Sequence, residues 1–149
     1  MAKLMMVTID CAEPTELAKF WATALDYELQ PPPEGFDSWH AWYRSVGVPA
    51  EELEGLPDEP DRVVDPAGVG PKMWFQAVPE AKVVKNRVHL DLTVTGGRSE
   101  PVEQRRAKVD AEVKRLVAAG ASVFRVNDDG ADYYGVVMQD PEGNEFCVS

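Results

Sequence analysis

The two halves of this sequence repeat one order of predicted elements, and this repeat is the strongest constraint on the fold. Each half reads as a strand, an amphipathic helix, a strand, an irregular stretch, an Asp-Pro-x-Gly turn and a last strand. The turn at Asp65 to Gly68 in the first half corresponds to the turn at Asp140 to Gly143 in the second. The same elements in the same order, with the same turn, predict a duplicated unit.

The helices of the two halves carry matching apolar stripes. Pro14 suits the first position of a helix of about three turns, and the second helix, predicted from Pro101 to Ala119, is followed by Gly120, a residue that favours helix termination. The first stripe is Leu17, Phe20, Trp21, Ala24 and Leu25, and the second is Val109, Val113, Leu116 and Val117. One stripe per helix predicts that each helix covers one face of a small antiparallel sheet.

Residues 86–94 alternate strictly between apolar and polar side chains. The apolar positions are Val88, Leu90, Leu92 and Val94, and the polar positions are Arg87, His89, Asp91 and Thr93. A period of two predicts a strand with one apolar face and one polar face. His89 is one of two histidines in the chain, and two interpretations remain for it: the polar face meets water and His89 bonds a neighbour, or this face lines a cavity.

Other strands are predicted over residues 4–11, 27–30, 72–78, 122–126, 133–139 and 144–149. Residues 31–64 are irregular, with short helical turns beginning after Ser38 and at Pro49 and an acidic, proline-interrupted loop over residues 54–61. Trp39, Trp42 and Tyr43 in this region form either a small core beneath a loop or the wall of a ligand pocket.

Composition excludes several classes of partner. The net charge of −11 argues against binding to nucleic acid or to anionic membrane surfaces. A chain of 149 residues has the size of one domain and buries about 70% of its unfolded surface without needing disulfides.

Cys11 and Cys147 lack CxxC spacing, and Thr8 and Asp10 interrupt the apolar N-terminus. We therefore expect reduced thiols, no signal peptide, no membrane span and a cytoplasmic location.

Several segments together resemble a known superfamily. They are Thr8 to Cys11 leading into Leu17 to Trp21, then Asn86 to Leu92, and Asp140 to Cys147. They resemble the vicinal oxygen chelate superfamily, in its glyoxalase-like branch related to glyoxalase I, bleomycin resistance proteins and extradiol dioxygenases. The resemblance covers nearly the whole chain and is weakest over residues 31–64. It implies one α+β domain, often dimeric, whose two βαβββ modules, about 1–79 and 86–149, pair into a cupped, mostly antiparallel sheet with helices on its outer face.

The resemblance also implies where a metal would bind. The corresponding positions are Met6, Gln76, His89 and Cys147, with Lys72 or Trp74 as alternatives to Gln76. This set departs from the His, Glu and Gln ligands usual in the metal enzymes, and Asp91 would be needed as a further donor. Only His89 is a strong ligand for a divalent ion, because a thioether suits copper(I) and an amide is a weak donor. The residues therefore favour no tightly bound catalytic metal, and His89 is the ligand expected for any divalent ion that binds.

Three functions fit this sequence. The first is a glyoxalase-like lyase or isomerase of unassigned substrate that acts in the cup, with His89 as general acid or base and Asp91 as its partner. The second is a non-catalytic protein of the bleomycin-resistance type that sequesters a small molecule. The third is a metal-dependent dioxygenase or isomerase. The ligand contacts predicted in the cup are Met6, Thr8, Trp74, Gln76 and Cys147. A buried, convergent His89 and Asp91 would favour the enzyme, because sequestration needs no acid–base pair.

Overall fold

Two successive units, Met1–Pro79 and Glu80–Ser149, make up the computed structural model, which describes all 149 residues. The first unit comprises β1 (Met6–Cys11), α1 (Pro14–Leu25), β2 (Glu28–Leu29), α2 (Trp39–Ser45), α3 (Ala50–Leu53), β3 (Arg62–Val64) and β4 (Lys72–Ala77). The second comprises β5 (Asp91–Leu92), a 3₁₀ turn (Gly97–Ser99), α4 (Val102–Ala118), β6 (Ser122–Asp128), β7 (Tyr134–Gln139) and β8 (Glu145–Val148).

The sheet of the first unit has the order β1-β4-β3-β2, in which β1 runs parallel to β4 and the other pairs are antiparallel. Helix α1 packs on β3 and β4, so one face of the sheet is apolar and closed. The fully buried side chains of this core are Leu17, Trp21, Val63, Met73 and Phe75. We call the opposite side of this sheet the first open face.

The sheet of the second unit repeats that topology with the order β5-β8-β7-β6, in which β5 runs parallel to β8. Helix α4 packs against β6, β7 and β8. The core beneath it consists of Val109, Leu116, Val136, Met138, Phe146 and Val148. We call the side opposite α4 the second open face.

The α+β class and the two βαβββ modules predicted from the repeat are confirmed. Both Asp-Pro-x-Gly segments form turns, with Gly68 N–H donating to the Asp65 carbonyl at 2.9 Å and Gly143 N–H donating to the Asp140 carbonyl at 2.9 Å. The short helices predicted after Ser38 and Pro49 are present as α2 and α3. Cys11 and Cys147 form no disulfide. None of the helices has the length and apolar character needed to cross a membrane.

One strand prediction is wrong in extent, and one short strand was not predicted. The strand predicted over residues 86–94 is confined to Asp91–Leu92, with flanking ladder bonds to β8 at Leu90 and Val94. Val88 is 78% exposed, because the chain before Leu90 has no neighbouring strand and its apolar side chains have nothing to pack against. Strand β3 was not predicted, because three residues are too short to show a period.

Candidate functional site

The first open face brings together four of the predicted ligand contacts. Thr8 pairs with Trp74 across the parallel β1 and β4 strands, and Asp10 pairs with Gln76. Paired residues project to the same side of a sheet. Met73 and Phe75, which alternate along β4 with Lys72, Trp74 and Gln76, project to the other side and are buried beneath α1. The polar set of β1 and β4 therefore lies on the open face: Met6, Thr8, Asp10, Lys72, Trp74 and Gln76.

Trp74 is held in one orientation on this face. Its indole Nε1–H donates to the Asp61 Oδ2 at 2.9 Å. The guanidinium carbon of Arg62 lies 5.5 Å from the Trp74 ring centroid and 4.6 Å from that of Trp39. Arg62 also donates to the Tyr43 hydroxyl at 2.8 Å. The Arg62 cation thus contacts two indole rings, Asp61 accepts a hydrogen bond from Trp74, and Tyr43 accepts one from Arg62. Together these contacts fix the half-buried Trp74 ring before any ligand binds.

The aromatic residues of α2 divide between core and surface. Ser38 caps the helix by accepting from Ala41 N–H at 3.1 Å, which turns Trp39 inward. Trp39 is 7% exposed and its Nε1–H donates to the Gln30 carbonyl at 3.3 Å, so it belongs to the core. Trp42 and Tyr43 are half-buried with ring centroids 5.0 Å apart. The cluster is therefore a small core at Trp39, with partly accessible rings beside it.

The second open face carries Cys147 beside Asp91. These residues pair across β5 and β8, and their neighbours along β8, Phe146 and Val148, are buried beneath α4. Burial raises the pKa of the Cys147 thiol, and the hydrogen bond from the thiol to the Asp91 carboxylate raises it further. The positive charges of Lys85 and Arg125 act in the opposite direction on this pKa. The thiol is therefore kept protonated at neutral pH.

Tyr133 joins this group because Gly135 leaves room for it. A Cβ at Gly135 would lie 2.4 Å from the Tyr133 hydroxyl oxygen, so only glycine permits the phenol to lie across β7. Partial burial raises the pKa of Tyr133, with contributions from the nearby Cys147 and Asp91, while a hydrogen bond with Ser149 opposes the shift. Sequence reasoning did not assign Tyr133 to the site. The signal available was a glycine inside a strand, which often marks a close approach.

His89 and Asp91, which we predicted as a general acid or base and its partner, are not hydrogen-bonded to each other. The His89 side chain is exposed, with Nε2 at 2.8 Å from the Lys85 Nζ and 3.3 Å from the Asn86 carbonyl oxygen. No hydrogen bond joins it to Asp91, whose partner is Cys147. The partners of His89 come from the preceding segment, because no strand neighbours the chain before Leu90.

Glu145 attaches the segment before β5 to the sheet. It is 6% exposed, and its carboxylate accepts from Asn86 N–H at 2.8 Å and pairs with Lys82 at 3.3 Å. The backbone hydrogen bond from Asn86, assisted by Lys82, holds the pKa of Glu145 below its usual range.

This pKa predicts a change of stability with pH. A carboxyl whose pKa is lower in the folded protein contributes stability above its unfolded pKa, about 4.3, and loses it as the pH falls through the folded pKa. We expect thermal unfolding midpoints to fall below about pH 4.5, with a shallower fall in Glu145→Gln. Calorimetry of both proteins from pH 7 to pH 3 checks this. Parallel curves would contradict a contribution from Glu145.

The residues of the second open face do not fit the divalent ion that the resemblance implies. The Lys85 ammonium lies 2.8 Å from the imidazole nitrogen that would bind the ion, and two cations at one nitrogen repel each other. The raised pKa of Cys147 disfavours the thiolate that metals require. Within each unit, no three His, Cys, Asp or Glu side chains are grouped to hold a metal.

Comparison with known proteins agrees with the topology. The family model described as a glyoxalase-like domain matches residues 6–149. No curated protein sequence matches this chain significantly. Among solved structures, a hypothetical protein from S. aureus is 15% identical with a TM-score of 0.60, covering 99% of this chain and 93% of the other.

Two further solved structures carry functional descriptions. A glyoxalase/bleomycin resistance protein/dioxygenase family enzyme from Burkholderia phytofirmans PsJN is 18% identical, with a TM-score of 0.58 and coverage of 99% and 97%. A mutant of the fosfomycin resistance protein FosX from Listeria monocytogenes, complexed with Mn(II) and 1S,2S-dihydroxypropylphosphonic acid, is 10% identical, with a TM-score of 0.58 and coverage of 99% and 89%. Identities this low show a shared fold and leave the activity undetermined.

Proposed function

This chain belongs to the glyoxalase-like domain family, and we propose that it is a non-catalytic protein that binds a small planar aromatic molecule on its first open face. The observation that carries the proposal is the half-buried Trp74 ring beside Thr8, held by Asp61 and Arg62 before a ligand binds. A fixed aromatic surface binds a flat ligand with little loss of side-chain entropy.

Two features favour binding over a lyase or isomerase activity. His89 is exposed and bonded to Lys85, so no general base is oriented by Asp91. The donor set inferred from the family resemblance is also unsuited to a divalent ion, because its thiol is protonated and its imidazole is next to an ammonium group. The glyoxalase-like fold includes fosfomycin resistance enzymes, so the choice rests on these side chains and not on the fold.

The neighbours of Trp74 restrict the ligand's chemistry. The Thr8 hydroxyl and the Gln76 amide offer hydrogen bonds to a polar edge, and the Met6 thioether offers an adaptable apolar contact. The Asp10 carboxylate and the Lys72 ammonium lie on the same face, and the Arg62 guanidinium already lies over the Trp74 ring, so this face does not favour ligand charge of one sign. We therefore propose a planar aromatic ligand that is neutral.

Substitution of Trp74 tests this function. In a panel of acridine and quinoline compounds, we expect saturable binding to the parent protein and at least about tenfold weaker binding to Trp74→Ala, because stacking and apolar contact are both lost. Thermal shift and calorimetric titration measure the affinities. Trp42→Ala is the matched control and should change affinity less than about threefold. Equal affinity of Trp74→Ala and parent, or no binder in the panel, would contradict the proposal.

A further inference from the structure

We propose that the Lys85 ammonium replaces the divalent cation of metal-binding relatives and, with Arg125, binds a small oxyanion on the second open face. By the resemblance, His89 stands where the metal enzymes place a ligand, and its Nε2 lies 2.8 Å from the Lys85 Nζ. A positive charge therefore already lies where a metal would supply one. This inference does not depend on the aromatic site of the first unit.

Lys85 is an exposed cation that no carboxylate neutralises. Its ammonium contacts the His89 nitrogen and, at 3.4 Å, the Asn86 carbonyl oxygen, both of which are uncharged partners when the imidazole is neutral. The segment that carries it is attached to β8 through Asn86 and Lys82, which share the Glu145 carboxylate. The charge of Lys85 is therefore available to a ligand, whereas Lys82 is paired with Glu145.

Arg125 provides a second cation on the same face. It pairs with Val137 across β6 and β7, and Val137 pairs with Cys147 across β7 and β8, so the three side chains project to one side. The structure shows no ion pair for Arg125, although Arg106 on α4 is paired with Asp128. Lys85 and Arg125 thus both lack an ion-pair partner in a chain whose net charge is −11.

The remaining groups on this face select a single small anion. The Tyr133 hydroxyl and the Ser149 side chain supply hydrogen-bonding groups. Asp91 opposes an anion, but its carboxylate is engaged with the Cys147 thiol, and Asp129 acts on Tyr133 from the adjacent loop. An arginine fork and a lysine point charge suit a carboxylate, a phosphate or a phosphonate. All three of these ligands are compact oxyanions.

Histidine NMR provides a direct test, because His40 and His89 are the only histidines in the chain. Inorganic phosphate is titrated into the intact protein at constant ionic strength, and the imidazole resonances are assigned with His89→Gln. We expect a saturable shift of the His89 resonances and about tenfold weaker phosphate binding in Lys85→Met. Arg125→Met should also weaken binding. Lys114→Met, at an exposed lysine on α4, is the matched control and should bind like the parent.

Two results would overturn the proposal. The first is phosphate binding that is absent, or equal in the parent and Lys85→Met when both have the parent's unfolding midpoint. The second is stoichiometric, saturable broadening of the His89 resonances by Mn²⁺, which would show that the imidazole binds a metal despite Lys85. Trp74→Ala should leave the phosphate titration unchanged, so a failure at the aromatic site and a failure at the oxyanion site are distinguishable.

Discussion

Arg105→Met is expected to lower the free energy of unfolding by about 1.5–3 kcal/mol, because it removes three hydrogen bonds from a buried guanidinium to backbone carbonyls. Arg105 is 6% exposed although it lies on α4. Its guanidinium donates to the carbonyl oxygens of Glu100 at 3.0 Å, Ala131 at 2.7 Å and Asp132 at 3.3 Å. One side chain thus connects the start of the helix to the loop before Tyr133.

Urea unfolding followed by circular dichroism measures this loss of stability. Arg98→Met, at an exposed arginine without such contacts, is the matched control and should change stability by less than about 0.5 kcal/mol. Arg105→Lys should recover only part of the loss, because an ammonium group cannot span three carbonyls as the planar guanidinium does. Equal stabilities of Arg105→Met and Arg98→Met would show that the three hydrogen bonds contribute nothing.

Arg105 also connects stability to the second open face. The loop that it holds leads directly into Tyr133, whose phenol lies over Gly135 beside Cys147. Loosening the loop should release the phenol and expose the thiol. In Arg105→Met, under conditions where the protein is still folded, we therefore expect Cys147 to react faster with a thiol reagent than in the parent.

Trp21→Ala is expected to cost about 3–5 kcal/mol through lost burial and the cavity left behind. Trp21 is 1% exposed and contacts Phe20 edge to face, with ring centroids 5.5 Å apart. It lies on the face of α1 that packs on β3 and β4, so its truncation opens an indole-sized space in the core of the first unit.

The same unfolding measurement with Phe124→Ala gives the comparison. Phe124 is an aromatic residue that is 53% exposed on β6, so its truncation removes few contacts and should cost less than about 1 kcal/mol. If Trp21→Ala were no more destabilising than Phe124→Ala, the assignment of Trp21 to the core of the first unit would be wrong.

Local patterns predicted much of the fold and part of the site. The stripes of α1 and α4 and the two Asp-Pro-x-Gly turns depend on residues close in sequence, so the repeat could be recognised from the sequence. Strand parity placed Thr8, Trp74 and Gln76 on one polar face for the same reason. Asp61 and Arg62, which orient Trp74, lie in the irregular stretch, and nothing local connects them to its ring.

The sequence by itself determined which side chains alternate and where helices begin and end, because these follow from the helical and strand periods and from turn chemistry. Tertiary structure alone decided whether an alternating segment had a partner strand. The segment from Leu90 to Val94 is hydrogen-bonded to β8, whereas Val88 and His89 have no neighbouring strand. His89 therefore contacts Lys85 in the preceding segment. Tertiary structure also gathered Tyr133, Arg125 and Cys147 on one face, because strand pairing joins residues whose separation in sequence carries no signal.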